Sequence, residues 1–156
     1  MKSLAKSMDV FGIYIPDKSL TNYDLLEYVS QLKILHFRGV FMRDELPTTK
    51  PRRKECGIVN FNKSNEHGTH WVCYHNDGNR RIFFVSFGQI TPIEIQNYLK
   101  TKNERNVAVI QRNTDIVQSF NTNICGHLCL FVLKALSNEQ QSFQQVLNEL
   151  NDDGYS

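Results

Sequence analysis

The run from Gln118 to Leu136 constrains this chain more than any other segment. It begins polar and turn-forming, Gln118-Ser-Phe-Asn-Thr-Asn, and from Cys125 onward turns abruptly into an apolar helical pattern. Leu128, Leu130, Phe131, Val132, Leu133 and Leu136 fall on every side of that helix rather than along one stripe. A helix apolar all round must be covered all round, so the pattern predicts a buried central helix over 125–136. Cys125 opens it. Unpaired backbone N–H groups and the positive end of the helix dipole would there favour a thiolate, the form that attacks carbonyls.

The rest of the chain supplies the covering layers. Thr21 and Asp24 have capping-box spacing, and Leu25, Leu26, Val29 and Leu32 follow at helical intervals, which predicts a helix over 21–33. Residues 37–47 read as a short extended segment entering a loop through the basic run Lys50-Pro-Arg-Arg-Lys54. Gly57–Phe61, His70–His75 and Arg81–Phe87 read as strands, with Asn76-Asp-Gly-Asn79 as a hairpin turn between the last two. Thr91 and Pro92 read as the N-cap and first residue of a helix continuing through Leu99. Strands follow at 107–111 and 116–118, and an amphipathic helix spans 142–150. The order implies one α+β domain over residues 1–156: a small central, mostly antiparallel sheet and a buried helix.

Composition narrows the function. Among 156 residues, 40% hydrophobic content supports a core without disulfide or metal, and a net charge of +2 does not by itself call for nucleic acid. Cys56, Cys73, Cys125 and Cys129 form no CxxC pair and show no zinc-finger spacing with histidine, so no metal or cofactor is expected. The first residues lack an apolar run suited to a signal peptide, and no stretch reaches the length of a membrane span. Reduced thiols inside a cell are the expectation.

A nucleophilic cysteine needs a base, a group that orients the base, and donors for an oxyanion. His70, in Gly68-Thr-His70-Trp71, can supply the base if its strand lies beside the Cys125 helix. His67 and His127 are alternative bases, although His127 leaves the helix in another direction from Cys125. Gln118 can lend an amide N–H to an oxyanion, and Gly126 lets a substrate backbone come close. Each has a plain structural reading as well: a satisfied histidine, a packing cysteine, a loop glutamine, a helix-entry glycine. Cys129, one turn after Cys125, reads as core.

Gly68-Thr-His70-Trp71, then Val85-Ser-Phe-Gly88, then Gln118 with Cys125-Gly126 seven residues on, resemble the adenovirus-type (adenain-like, C5) cysteine protease family. Leu20-Thr-Asn22, the 37–47 segment and Glu55-Cys-Gly-Ile-Val-Asn60 resemble its Polinton/Maverick and virophage branch, and the family is related to the ubiquitin-like-protein proteases. The resemblance covers roughly residues 20–136. It implies a papain-like fold, with Cys125 as nucleophile, His70 as general base, Gln118 in the oxyanion hole and Trp71 walling the site. It also implies a cysteine endopeptidase that matures viral capsid and core precursors, cutting after small residues, in the virion and host-cell interior (virus factory, cytoplasm or nucleus). Some members of the family also depend on viral DNA or a peptide as activator, which the resemblance extends to this chain as a candidate partner, with no membrane involved.

One position departs from that pattern. The family holds Asp or Glu two residues before the Phe-Gly, where it bonds the histidine's second nitrogen; this chain has Val85. In serine triads, replacing that Asp by Asn costs on the order of 10⁴ in turnover, while a cysteine depends less on a third member. Three readings stand open: a Cys125–His70 dyad, a protease homologue kept as a structural or peptide-binding module, and an introduced or damaged position. A protease acting on ubiquitin-like modifiers is the remaining alternative.

Overall fold

In the computed structural model, the residues described are 7–62, 70–78, 80–100, 110–113, 123–137 and 141–152. Two strands, β1 (Ser7–Val10) and β2 (Ile13–Pro16), form an antiparallel hairpin ahead of helix α1 (Asn22–Leu32). Its turn puts Phe11 and Gly12 at φ 49° and 89°, and Asp9 accepts the Gly12 N–H at 2.7 Å. Both central residues at positive φ match the strand twist, which is why a two-residue loop suffices.

Helix α1 starts where the capping box places it. Thr21 Oγ1 accepts the Asp24 N–H at 3.1 Å, and the Asp24 carboxylate accepts the Thr21 N–H at 3.0 Å. Each bond satisfies a donor that the helix start would otherwise leave unpaired.

The main sheet has the order β3 (Phe37–Met42), β4 (Glu55–Asn60), β5 (Trp71–Asn76), β6 (Arg81–Phe84) and β7 (Ile110–Arg112). Its two central pairings are antiparallel, as expected, and both edge strands run parallel to their neighbours. The short extended segment expected from residue 37 is β3 of this sheet, and the expected loop follows it from residue 43 to 54. Of the strand expected at 107–111, Ile110 and Gln111 lie in β7, which continues to Arg112; 107–109 and the strand expected at 116–118 lie outside the described residues.

Alternation along the strands sorts side chains onto two faces. Cys56, Ile58, Trp71, Cys73, Ile82 and Phe84 pack with helix α3 (Cys125–Leu136), α1 and α4 (Phe143–Asp152). Val59, Val72, Tyr74, Phe83 and Val85 pack with helix α2 (Ile93–Leu99). Within α3 every residue but Lys134 is buried, as a helix apolar all round demands. The α+β class, with that helix laid on a small sheet, is as expected.

Two boundaries differ from the sequence reading. Strand β6 stops at Phe84, not Phe87: the Gly88 N–H turns back to the Val85 carbonyl at 2.9 Å, with Gly88 at φ 71°. The buried Asn113 amide captures both backbone groups of Val85, Oδ1 accepting its N–H at 3.0 Å and Nδ2 donating to its carbonyl at 2.6 Å. A side chain thus completes the ladder and releases residues 86–89 to turn. Helix α2 begins at Ile93 with Pro92 as N-cap and no side-chain capping bond, so Thr91 does not cap it.

Candidate active site

Helix α3 begins at Cys125, and its N-cap residue Ile124 offers no side-chain acceptor. The sulfur lies against the start of β5, where the Trp71 N–H donates to Cys125 Sγ at 3.4 Å. Trp71 is locked in turn by its indole Nε1–H, which donates to the Leu20 carbonyl at 2.8 Å. Gly126 makes this approach possible. A Cβ there would meet Leu20 Cδ1 at 3.2 Å, Leu25 Cδ2 at 3.3 Å and Trp71 Cδ1 at 3.4 Å, tighter than most side chains tolerate. Its role in the substrate-free protein is to seat α3 against α1 and Trp71.

His70 immediately precedes Trp71, so one peptide unit links the imidazole to the N–H that holds the sulfur. Its ring is clamped. Phe87 stacks on it at 5.1 Å with planes 26° apart, and Phe61 tilts against it at 5.6 Å and 58°. Its Nε2 is buried with no hydrogen-bond partner among the described residues, the Cys125 sulfur included.

The electrostatics correct one expectation. Burial pushes the Cys125 thiol up to about 11, although the N–H groups of Trp71, Gly126 and Cys125 itself pull it down. Desolvation disfavours the charged form, and here it outweighs the helix terminus. Burial also lowers the His70 pKa from its ordinary 6.5, partly offset by the Gln89 bond. The resting pair near neutral pH is thiol and imidazole, not thiolate and imidazolium.

The other sequence candidates sort clearly. His127 Nε2–H donates to the Pro16 carbonyl at 2.6 Å, which ties that ring to β2 and removes it as a base. Cys129 is fully buried, with Cys73 Sγ 3.9 Å from its carbonyl. Asp77 accepts from Arg80 Nε at 2.9 Å and sits 3.4 Å from His75, which engages it at its hairpin. Gln118, His67, Gly68 and Thr69 lie outside the described residues. Val85 is fully buried among Val72, Phe83 and Ile95 in the α2-side core.

Beside Trp71 opens a groove of about 650 Å³ lined by Leu20, Thr21, Met42, Glu45 and Asn60. The basic loop takes no part in it. Lys50 lines a separate cavity of about 550 Å³ with Arg43 and Tyr98, and the Arg52 N–H donates to buried Glu55 at 2.6 Å. No helix among the described residues is long and apolar enough to cross a membrane.

Among solved structures the chain is similar to the ASFV pS273R protease, with a TM-score of 0.49 and 15% identity. The alignment covers 82% of this chain and 61% of that one, so the chain spans about three fifths of that protease's length. No family model matches the chain. No curated protein matches it either.

Proposed function

We propose that this chain is a cysteine endopeptidase with Cys125 as nucleophile, His70 as general base and Gln118 as oxyanion donor. The observation that carries the reading is the Cys125 sulfur at the open start of α3, held 3.4 Å from the N–H of the residue following His70. The sequence resemblance supplies the role of Gln118. It also supplies the substrate class: viral capsid and core precursors cut after small residues, met in the virion or the infected cell. An activating peptide or viral DNA belongs to the same reading.

The chemistry starts from the neutral pair. His70 Nε2, which has no hydrogen-bond partner among the described residues, takes the Sγ–H proton as sulfur bonds to the scissile carbonyl carbon. The carbonyl becomes an oxyanion facing the N–H of Cys125 and the Gln118 amide. Collapse breaks the C–N bond, the leaving amine takes the proton from imidazolium, and water hydrolyses the thioester by the same route in reverse. The groove beside Trp71 receives the acyl-side residues.

The test is cleavage of virion precursor proteins encoded with this chain, followed with wild type, Cys125→Ala and His70→Ala. Cleavage abolished in both variants, with melting temperatures retained, is expected. Cleavage retained by Cys125→Ala would sink the nucleophile assignment. A well-folded wild type that never cleaves but binds the precursors would favour the peptide-binding module, a reading supported by Val85 and by the raised Cys125 thiol. Reaction with a ubiquitin-like aldehyde probe ending in Gly-Gly would point instead to a modifier protease.

A further inference from the structure

The His70 ring is gripped from both neighbours of β5 in the sheet. Phe87 reaches it from the turn after β6, and Phe61 from the residue after β4. The place of Phe61 follows from register. Asn60 pairs with Trp71, so Phe61 stands opposite His70, and its N–H donates to the His70 carbonyl at 2.7 Å. On the other side Asn60 pairs with Met42, which brings Arg43 beside Phe61. Arg43 Nη1 donates to the Phe61 carbonyl at 3.2 Å, and its guanidinium carbon lies 5.7 Å from the centre of the Phe61 ring. Its Nε stands 3.6 Å from the Glu94 carboxylate in the first turn of α2. A continuous set of contacts therefore runs from α2 through Glu94, Arg43 and Phe61 to the imidazole.

We infer that Arg43 is a positioning residue of this site: it braces Phe61, and the braced ring keeps the His70 imidazole in place. The inference rests on the peptidase reading above, in which His70 is the base. Val85 packs into the α2-side core and offers no acceptor, so no carboxylate orients the ring from that position. Aromatic packing supplies orientation instead, because neighbouring rings prefer a narrow set of offset and tilted arrangements. Phe61 lies past the end of β4, and the Arg43 bond holds its carbonyl there. A guanidinium suits that task. Its planar fork donates to a carbonyl, lies over a ring and faces a carboxylate at the same time, whereas a lysine ammonium is a point charge on a flexible stem. With its side chain 23% exposed, Arg43 makes these contacts largely out of water.

The experiment reads the imidazole directly. NMR of the His70 ring protons, whose shifts carry the ring current of Phe61, compares wild type with Arg43→Met and Arg43→Lys. Phe61→Leu sets the reference for complete loss of that ring. Both Arg43 variants are expected to move the His70 shifts toward the Phe61→Leu values, Arg43→Met the further. Shifts unmoved in Arg43→Met would overturn the inference. Wild-type shifts in Arg43→Lys would overturn it too, because charge alone would then suffice. Arg43→Lys keeps a cation beside Glu94, so the comparison survives if Arg43→Met does not fold. On a cleavable precursor, Arg43→Met should lower kcat about 10- to 100-fold, in line with a misplaced catalytic group, with KM unchanged. A lowered melting temperature with kcat unmoved would make Arg43 a purely structural residue and overturn the inference. Because NMR needs no turnover, the two readings fail separately. Moved His70 shifts in a protein whose wild type never cleaves would uphold the brace and sink the peptidase reading. Cleavage that needs Cys125 and His70 but is indifferent to Arg43 would sink the brace alone.

Discussion

The two faces of the main sheet are built on different principles. The α3 face is apolar from Cys56 to Phe84, and burial of aliphatic and aromatic surface holds it together. The α2 face encloses a charge. Glu55, 1% exposed, accepts from Tyr74 Oη at 2.6 Å, Tyr98 Oη at 2.8 Å and the Arg52 N–H at 2.6 Å, with Arg38 Nη1 at 3.3 Å. Gly57 makes room for this node: a Cβ there would lie 2.6 Å from the Tyr74 ring. A buried carboxylate is tolerable only when its oxygens are satisfied and a cation is near, and both conditions are met. The candidate site forms at the strand end where the two faces meet. Cys125 comes from the apolar face, and His70 lies one residue before β5 with the alternation of Val72 and Tyr74 on the other.

The contrast can be broken at Val85, where the largest effect is expected. Val85→Asp would put an unpartnered carboxylate into the apolar part of the α2 face. Its cost is on the order of 3–5 kcal/mol, that of an uncompensated buried charge. The sign is testable. Burial raises that carboxyl above its unfolded value, so the loss is largest near neutral pH and shrinks as pH falls and the group protonates. Denaturant titrations at about pH 7 and about pH 5 check this. Equal losses at both would show that the carboxylate finds a partner, His70 included.

A smaller effect is expected at Gly57. Gly57→Ala should cost about 1–3 kcal/mol, because Tyr74 must leave its place over the strand and with it the bond to Glu55. Tyr98→Phe removes one hydroxyl donor to the same carboxylate and should cost about 1–2 kcal/mol. Combining the two gives a sharper test. Both mutations disturb one node, so their losses should fall short of additive, whereas additivity would show that the tyrosines act independently.

The smallest effect is the pH dependence of the unmodified protein. Burial depresses both His70 and His127, the first across from α2 and the second inside α3. The unfolded chain binds protons as pH falls through 6.5 while the folded protein does not, so stability should decline from there toward lower pH. At the alkaline end the sign reverses. Cys125, raised from 9.0 to about 11, loses stability as pH climbs through that window. Melting temperatures across pH, compared with His127→Leu and Cys125→Ala, would assign the two limbs; unchanged slopes would dissociate them from these residues.

Local signals in the sequence were readable wherever neighbouring residues satisfied one another. Thr21 and Asp24 form the expected box, and Ser142 with Gln145 forms a second, Oγ accepting the Gln145 N–H at 3.1 Å and Oε1 accepting the Ser142 N–H at 2.7 Å. The Asn76–Gly78 turn was legible for the same reason, and α3 from its apolar periodicity, its N-cap Ile124 making no side-chain capping bond. The β1–β2 hairpin was not, because its turn uses Phe11 where Asn or Asp would have announced positive φ. Nor was the end of β6, which depends on Asn113, 28 residues further along the chain.

The sequence by itself determined that α3 would be buried, that Cys125 would open it, and that His70 would begin a strand, because periodicity and local hydrogen bonding carry that information. Only the tertiary structure decided that Val85 faces the core, that Phe87 stacks on the imidazole, and that the resting thiol keeps its proton. The first two depend on a turn pinned from a distant strand. The last depends on how much water the packed elements exclude around the sulfur, and no run of neighbouring residues encodes that.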